Sequence, residues 1–281
     1  MNTIYIPADV PRHARAEYRK NMRLLTRGSE TIFLFSADHK IEHLNDDFQL
    51  SHADAAAQEP RHLFTIAQQA PIGAMASHFG LIAQYGLQYP TIPYVIKLNG
   101  KTNIDSCKDP VSRMLWSVDD VVQLKDDSGL TILGVGITIY LGSDYEDQML
   151  EQTAQTIYAA HRHGLIAIVW IYPRGHAVTD ETDPHLSAGA AGVALSLGAD
   201  VVKIHAPQTD SYDLLHTIVA AAGTTKVLSA GGSFKEQQQI LDTIGMQRRA
   251  GFSGIAMGRS LFQRSLQDAL TLSEAISRIL R

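Results

Sequence analysis

The sequence predicts a (β/α)8 TIM barrel with an N-terminal helical extension, and three observations lead there. Short apolar runs rich in Ile and Val recur along the 281 residues, each bounded by Gly, Pro, Asp or Asn. They alternate with stretches of helical spacing, and there are eight of them, the number that closes such a barrel. None is followed by G-x-G-x-x-G, which removes the main competitor, a doubly wound dinucleotide-binding sheet. Gly134-Val135-Gly136 lies within a strand run and lacks the third glycine.

The elements follow in order. Residues 1–28 form the extension, where Arg12, Arg15, Arg19, Lys20, Arg23 and Arg27 meet only Glu17. This segment keeps an acid and lacks the serines of an organelle-targeting peptide, so a helix closing the barrel bottom or touching a partner subunit is expected. The strand runs are 31–37, 73–79, 94–98, 132–139, 166–172, 200–204, 226–230 and 254–257, as buried parallel strands should read. A helix over 144–163 carries Met149, Leu150, Ala154, Ile157, Tyr158 and His161 and is stopped by Gly164. Helices follow at 185–197, 210–222 and 234–250, each closed by a glycine, and at 265–280. With no repeat, low-complexity tract or linker, 1–281 reads as a single domain.

Composition excludes several classes. The chain is 45% hydrophobic and 19% charged with a net charge of -5, which gives nucleic acid no support as a partner. No apolar stretch approaches the ~20 residues of a membrane span, and the N-terminus lacks the apolar region of a secretory signal. The lone Cys107 permits no intramolecular disulfide and fits a reducing cytoplasm.

In a barrel of this kind the chemistry gathers at the C-terminal strand ends. The sixth run holds Lys203 among valines, where desolvation lowers a lysine pKa and frees a nucleophilic amine. A salt-bridged lysine is the plain alternative, and Lys97 in the third run poses the same choice or holds an anionic group of a substrate. The first run ends in Asp38, His39, Glu42 and His43. Their spacing invites a metal, but a strand end and loop need not bring the histidines together, so no metal is expected and Asp38 reads as a proton carrier. Trp170 and Tyr172, two apart, share a face. Ser229 at the end of the seventh run with Gly231 and Gly232 beyond it, and Gly258 and Arg259 after the eighth, suit a phosphate held by backbone N–H groups.

Asp38-His39, Glu42-His43, Leu98-Asn99-Gly100-Lys101-Thr102, Tyr172-Pro173-Arg174-Gly175, Ala199-Asp200-Val201-Val202-Lys203, Ala230-Gly231-Gly232 and Met257-Gly258-Arg259 occur in this order. Together they resemble the archaeal-type class I fructose-1,6-bisphosphate aldolases, the DhnA type of the DeoC/FbaB/LacD aldolases, from about residue 30 onward. The resemblance implies Lys203 as the Schiff-base lysine, Tyr172 as general acid/base, Asp38 as a second proton-transfer carboxylate and Trp170 as a pocket wall. It implies His39, His43, Lys97, Arg174, Ser229, Gly231, Gly232, Gly258 and Arg259 as contacts to a phosphorylated sugar. It also implies a homo-oligomer and no cofactor. Lys40 and Leu44-Asn45 depart from it, standing where many members have Gly and Gly-Pro. The implied alternatives are a related lysine enzyme acting on another phosphorylated sugar or dione, such as an aminodideoxyheptulosonate synthase, and a non-catalytic sugar-phosphate-binding barrel.

Overall fold

The computed structural model describes residues 4–104, 108–207 and 209–281; Cys107 lies outside the described residues. Eight parallel strands close a barrel: β1 Ile32–Ser36, β2 Ala74–His78, β3 Tyr94–Lys97, β4 Ile132–Leu141, β5 Ile166–Pro173, β6 Val201–Ile204, β7 Lys226–Ala230 and β8 Gly254–Met257. Each pairs with its neighbours in the chain, and β1 pairs with β8 to close the ring. All eight lie within two residues of the sequence-predicted runs. Strands covered on both faces are predominantly apolar, so their ends stand out against polar flanks.

Alternation along each strand builds two cores. On β5, Ile166, Ile168 and Trp170 point into the barrel, while Ala167, Val169 and Ile171 point to the surrounding helices. Those helices include α1 Arg15–Leu25, α2 His39–Glu42, α3 Pro60–Gln69, α4 Phe79–Tyr85, α5 Val118–Ser128 and α6 Glu146–Arg162. The remainder are α7 Pro184–Leu197, α8 Tyr212–Ala222, α9 Gln237–Arg249, α10 Arg259–Phe262 and α11 Leu266–Leu280. Side-chain oxygens start several of them. Ser117 and Asp120 form a reciprocal capping box on α5, and Asp183, Ser211 and Ser265 cap α7, α8 and α11.

The extension does close the bottom of the barrel. Tyr18, Met22 and Leu25, spaced four and three apart on α1, continue the interior core downward. The Tyr18 hydroxyl donates to Asp200 at 2.6 Å, and the Asn21 amide donates to the Gly164 carbonyl at 2.9 Å. At the opposite end the chain leaves β3 into a small antiparallel ladder, Asn99–Gly100 against Arg113–Met114, which strand periodicity alone does not reveal. No helix among the described residues is long and apolar enough to cross a membrane.

Candidate active site

Parallel register sets the geometry of the upper barrel. Trp170 pairs with Lys203 on β6 and with Thr138 on β4, and Lys97 on β3 pairs with Gly136 on β4. Their side chains therefore rise on the same inner face. A methyl group at Gly136 would lie 2.6 Å from the Trp170 ring and 2.9 Å from Lys97 Cδ. The glycine pair of β4 thus makes room for the indole and a lysine stem rather than for a dinucleotide.

The segment after β1 corrects one expectation. Residues 39–42 are a helical turn, α2, not an open loop, so positions four apart fall on one side. His39 and His43 meet edge to face with ring centroids 5.2 Å apart. Asp38 and Glu42 both reach Lys97, each with a carboxylate oxygen 3.5 Å from its Nζ. His43 is tied to Asp47 at 2.6 Å. His39 packs on Phe262, and burial pushes its imidazole down to about 3, against the opposing pull of Asp38.

The two lysines divide the two readings that spacing left open. Lys97 is fully buried, and its three N–H donors find Asp38, Glu42 and the Thr138 hydroxyl. Its donors are engaged by these neighbours rather than turned to the cavity. Lys203 faces the cavity, and among the described residues its Nζ hydrogen-bonds only the Ser36 hydroxyl, at 3.2 Å. Burial strips its ammonium of water, Asp38 opposes this and Lys97 adds like charge, so it is pushed down to about 8. The Trp170 ring lies between the two amines, 4.4 Å from Lys97 Nζ and 5.4 Å from Lys203 Nζ, and its Nε1 has no hydrogen-bond partner among the described residues.

Burial alone would raise the Asp38 carboxyl, but Lys97 and Lys203 outweigh it and hold the group well below the usual range, as a carboxylate. Tyr172 moves the other way. Burial, then the charges of Glu42 and Asp38, push its phenol well above 10, so it keeps its proton. His205 packs against it with the rings tilted by 42° and centroids 4.5 Å apart, and is pushed down to about 4, by burial first and Lys203 second.

These groups surround a cavity of about 240 Å³ at the C-terminal mouth. Gly231, Gly232, Gly258 and Arg259 line its β7–β8 side, and Arg174 the β5 side. A side chain at Gly258 would strike His39 and the Ser36 carbonyl, at 2.3 and 2.5 Å. Ser229 is a correction. It occupies an outward position on β7 and donates its hydroxyl to Gln247 of α9 at 2.6 Å, away from the cavity. Lys40 and Leu44 are accommodated locally. Lys40 reaches Asn45 at 3.3 Å and lies over Phe48, while Leu44 takes a left-handed φ of 55°, the conformation glycine favours. Glu42, Thr138, Ser36 and Glu181 are the site's less legible members, because each acts by holding a lysine or an arginine.

A buried lysine with a lowered pKa on the sixth strand, a carboxylate, a protonated tyrosine and glycine-rich loops on the last two strands define a barrel enzyme of the lysine-nucleophile class. The chain belongs to the DeoC/LacD family of aldolases, whose sequence profile matches residues 32–264. It is 48% identical over 275 residues to the fructose-bisphosphate aldolase/6-deoxy-5-ketofructose 1-phosphate synthase of Methanocaldococcus jannaschii, covering 97% of this chain and 89% of that protein. It is 35% identical over 264 residues to the class 1 fructose-bisphosphate aldolase of Thermoproteus tenax, covering 92% and 93%. Among solved structures, a fructose-bisphosphate aldolase from Slackia heliotrinireducens matches with a TM-score of 0.96 at 43% identity, covering 99% of this chain and 90% of that one. An archaeal fructose-1,6-bisphosphate aldolase whose catalytic lysine is bound to the carbinolamine intermediate matches at 0.82 and 32% identity, covering 94% and 99%.

Proposed function

We propose that the protein is a class I fructose-bisphosphate aldolase, splitting fructose 1,6-bisphosphate into dihydroxyacetone phosphate and glyceraldehyde 3-phosphate and joining them in reverse. The observation that carries this is Lys203, an amine pushed down to about 8 that faces the cavity beside an ionised Asp38. Its lone pair adds to the C2 ketone, and loss of water gives an iminium. Asp38 accepts the C4 hydroxyl proton, the C3–C4 bond breaks, and its electron pair moves into the iminium to form an enamine and the free aldehyde. Tyr172, which holds its proton, donates to C3, and water then hydrolyses the iminium. The phosphate next to C1 rests against the backbone of Gly231, Gly232 and Gly258 with Arg259, and Arg174 stands at the distal end. The iminium is the electron sink, so a chelator leaves the rate unchanged.

Borohydride added with fructose 1,6-bisphosphate is expected to fix the sugar on the Lys203 peptide in a mass spectrum. No adduct, or an adduct on Lys97, rejects the assignment. The double name of the Methanocaldococcus jannaschii relative favours a second reading of the same site. Breaking the C3–C4 bond of 6-deoxy-5-ketofructose 1-phosphate gives dihydroxyacetone phosphate and 2-oxopropanal, an acceptor without a phosphate. Offering both aldehydes to the Lys203 enamine separates the readings. Phosphorylated substrates do not cross membranes unaided, which supports a cytoplasmic enzyme. Light scattering tests the self-association that the family resemblance implies.

A further inference from the structure

Among the described residues two guanidinium groups line the cavity, and they are held differently. Arg259 donates Nε to the Gly232 carbonyl at 3.1 Å and has a carboxylate oxygen of Asp47 only as near as 3.7 Å. Its remaining donors lie beside the glycine loops of β7 and β8. Arg174 is chelated: Nε and NH2 donate to the two oxygens of Glu181 at 2.7 and 2.6 Å. This fork is the geometry a guanidinium offers a phosphate, and here a carboxylate of the same loop occupies it. Both partners are about two-fifths exposed, at 42% and 41%, so the pair is solvated enough to exchange.

We propose that Glu181 is a specificity-determining residue of the acceptor side, an internal stand-in for a phosphate that holds Arg174 when the aldehyde carries none. The inference rests on the aldolase reading above and deepens it. A phosphorylated acceptor must displace the Glu181 carboxylate before it gains the Arg174 fork, and so loses most of the advantage its charge would bring. An unphosphorylated acceptor leaves the Arg174–Glu181 pair closed and buries no unpaired cation. The donor side has only a weaker competitor, because Asp47 comes no nearer than 3.7 Å to Arg259 and does not form a fork. The enzyme therefore demands a phosphate on the ketone and is tolerant about the aldehyde.

The test compares glyceraldehyde 3-phosphate with glyceraldehyde as acceptors, with dihydroxyacetone phosphate as donor. In Glu181→Gln the ratio of kcat/KM, phosphorylated over unphosphorylated, is expected to rise about tenfold, through a lower KM for the phosphorylated aldehyde. Glu181→Ala should do the same, so misfolding of one variant leaves the other to decide. Glu181→Asp should fall back toward wild type, and in an Arg174→Gln background Glu181→Gln should leave the ratio where Arg174→Gln put it. An unchanged ratio, or a fall because Glu181 positions Arg174 for the phosphate, overturns the proposal. A wild-type protein that joins neither aldehyde to the donor overturns the aldolase reading itself, and this inference with it.

Discussion

Each end of the barrel buries a carboxylate, and the two ends treat it in opposite ways. At the bottom, Asp200 accepts from the Tyr18 hydroxyl at 2.6 Å, the Ala167 N–H at 2.8 Å and His161 at 3.1 Å, while the other His161 nitrogen meets Asp9 at 2.7 Å. These partners are satisfied within the fold, and α1 supplies one of them through Tyr18. At the top, Asp38 lies among two lysines and a buried imidazole nitrogen of His39, 3.7 Å away, and among the described residues neither that nitrogen nor the Trp170 N–H of the same cavity has a hydrogen-bond partner. A closed polar network specifies and holds a fold; an incompletely paired one facing a cavity is poised for a ligand. Asp200 immediately precedes β6, three residues before Lys203 on that strand, so one strand joins the structural end to the reactive one.

Substitutions test that division. The largest effect is expected for Lys203→Met, a loss of turnover of about 10⁴-fold or more with the melting temperature unchanged or raised, since a desolvated amine gives way to a similar apolar volume. Steady-state cleavage and calorimetry read the two halves, and a collapse of stability would move Lys203 into the structural camp. Lys97→Met should do the reverse in kind, costing about 3–5 kcal/mol because Asp38 and Glu42 lose their buried cation. Denaturant titration measures it. A fully stable Lys97→Met protein would mean that the ion pairs hold little.

Asp200→Ala should cost about 2–3 kcal/mol by stranding the Tyr18 and Ala167 donors, while kcat/KM of the folded protein stays within about twofold. A parallel loss of activity would show that the ends are coupled rather than separate.

The smallest expected effect is a divergence with pH. Lys203 must be unprotonated to attack, so kcat/KM should rise with pH and level off above about 8. For His161, burial lowers the imidazole but Asp200 and Asp9 outweigh it, bringing it up to about 9. A folded-state pKa above the unfolded 6.5 gives stability that is complete below 6.5 and lost as pH passes 9. Lys203 contributes the opposite slope only above 8, and His39 and His205 change only below 6.5, so within 6.5–8 the buried group that titrates is His161, beside the fully exposed His176, which Asp109 also raises. Discounting for the partly exposed Asp9, about 2 kcal/mol should disappear overall. Denaturant midpoints across this range should fall in wild type and fall much less in His161→Gln, where only the exposed His176 remains; an equal fall in both would place the titrating group elsewhere.

Much of this was legible before any coordinates. The eight strands stood out because burial on both faces makes them predominantly apolar, so that Lys97 and Lys203 are conspicuous exceptions. The helix α6 could be delimited from periodicity and the glycine after it. The helical turn after β1 was misread, because four residues contain no full period of a pattern. The ladder at Asn99–Gly100 escaped for the same reason. Ser229 was credited to the cavity by proximity in sequence, although strand alternation turns it toward Gln247.

By itself, then, the sequence determined the barrel, the strand-end positions of Lys203, Tyr172, Asp38 and the glycine loops, and the absence of a dinucleotide motif. These depend on local pattern and on a period of two along each strand. Only the tertiary structure decided which lysine is free. Lys97 and Lys203 both occupy apolar strands, and what separates them is two carboxylates delivered to one and not the other by the turn of α2. A pKa is a property of the space around a group, and that space is built from residues far apart in the chain.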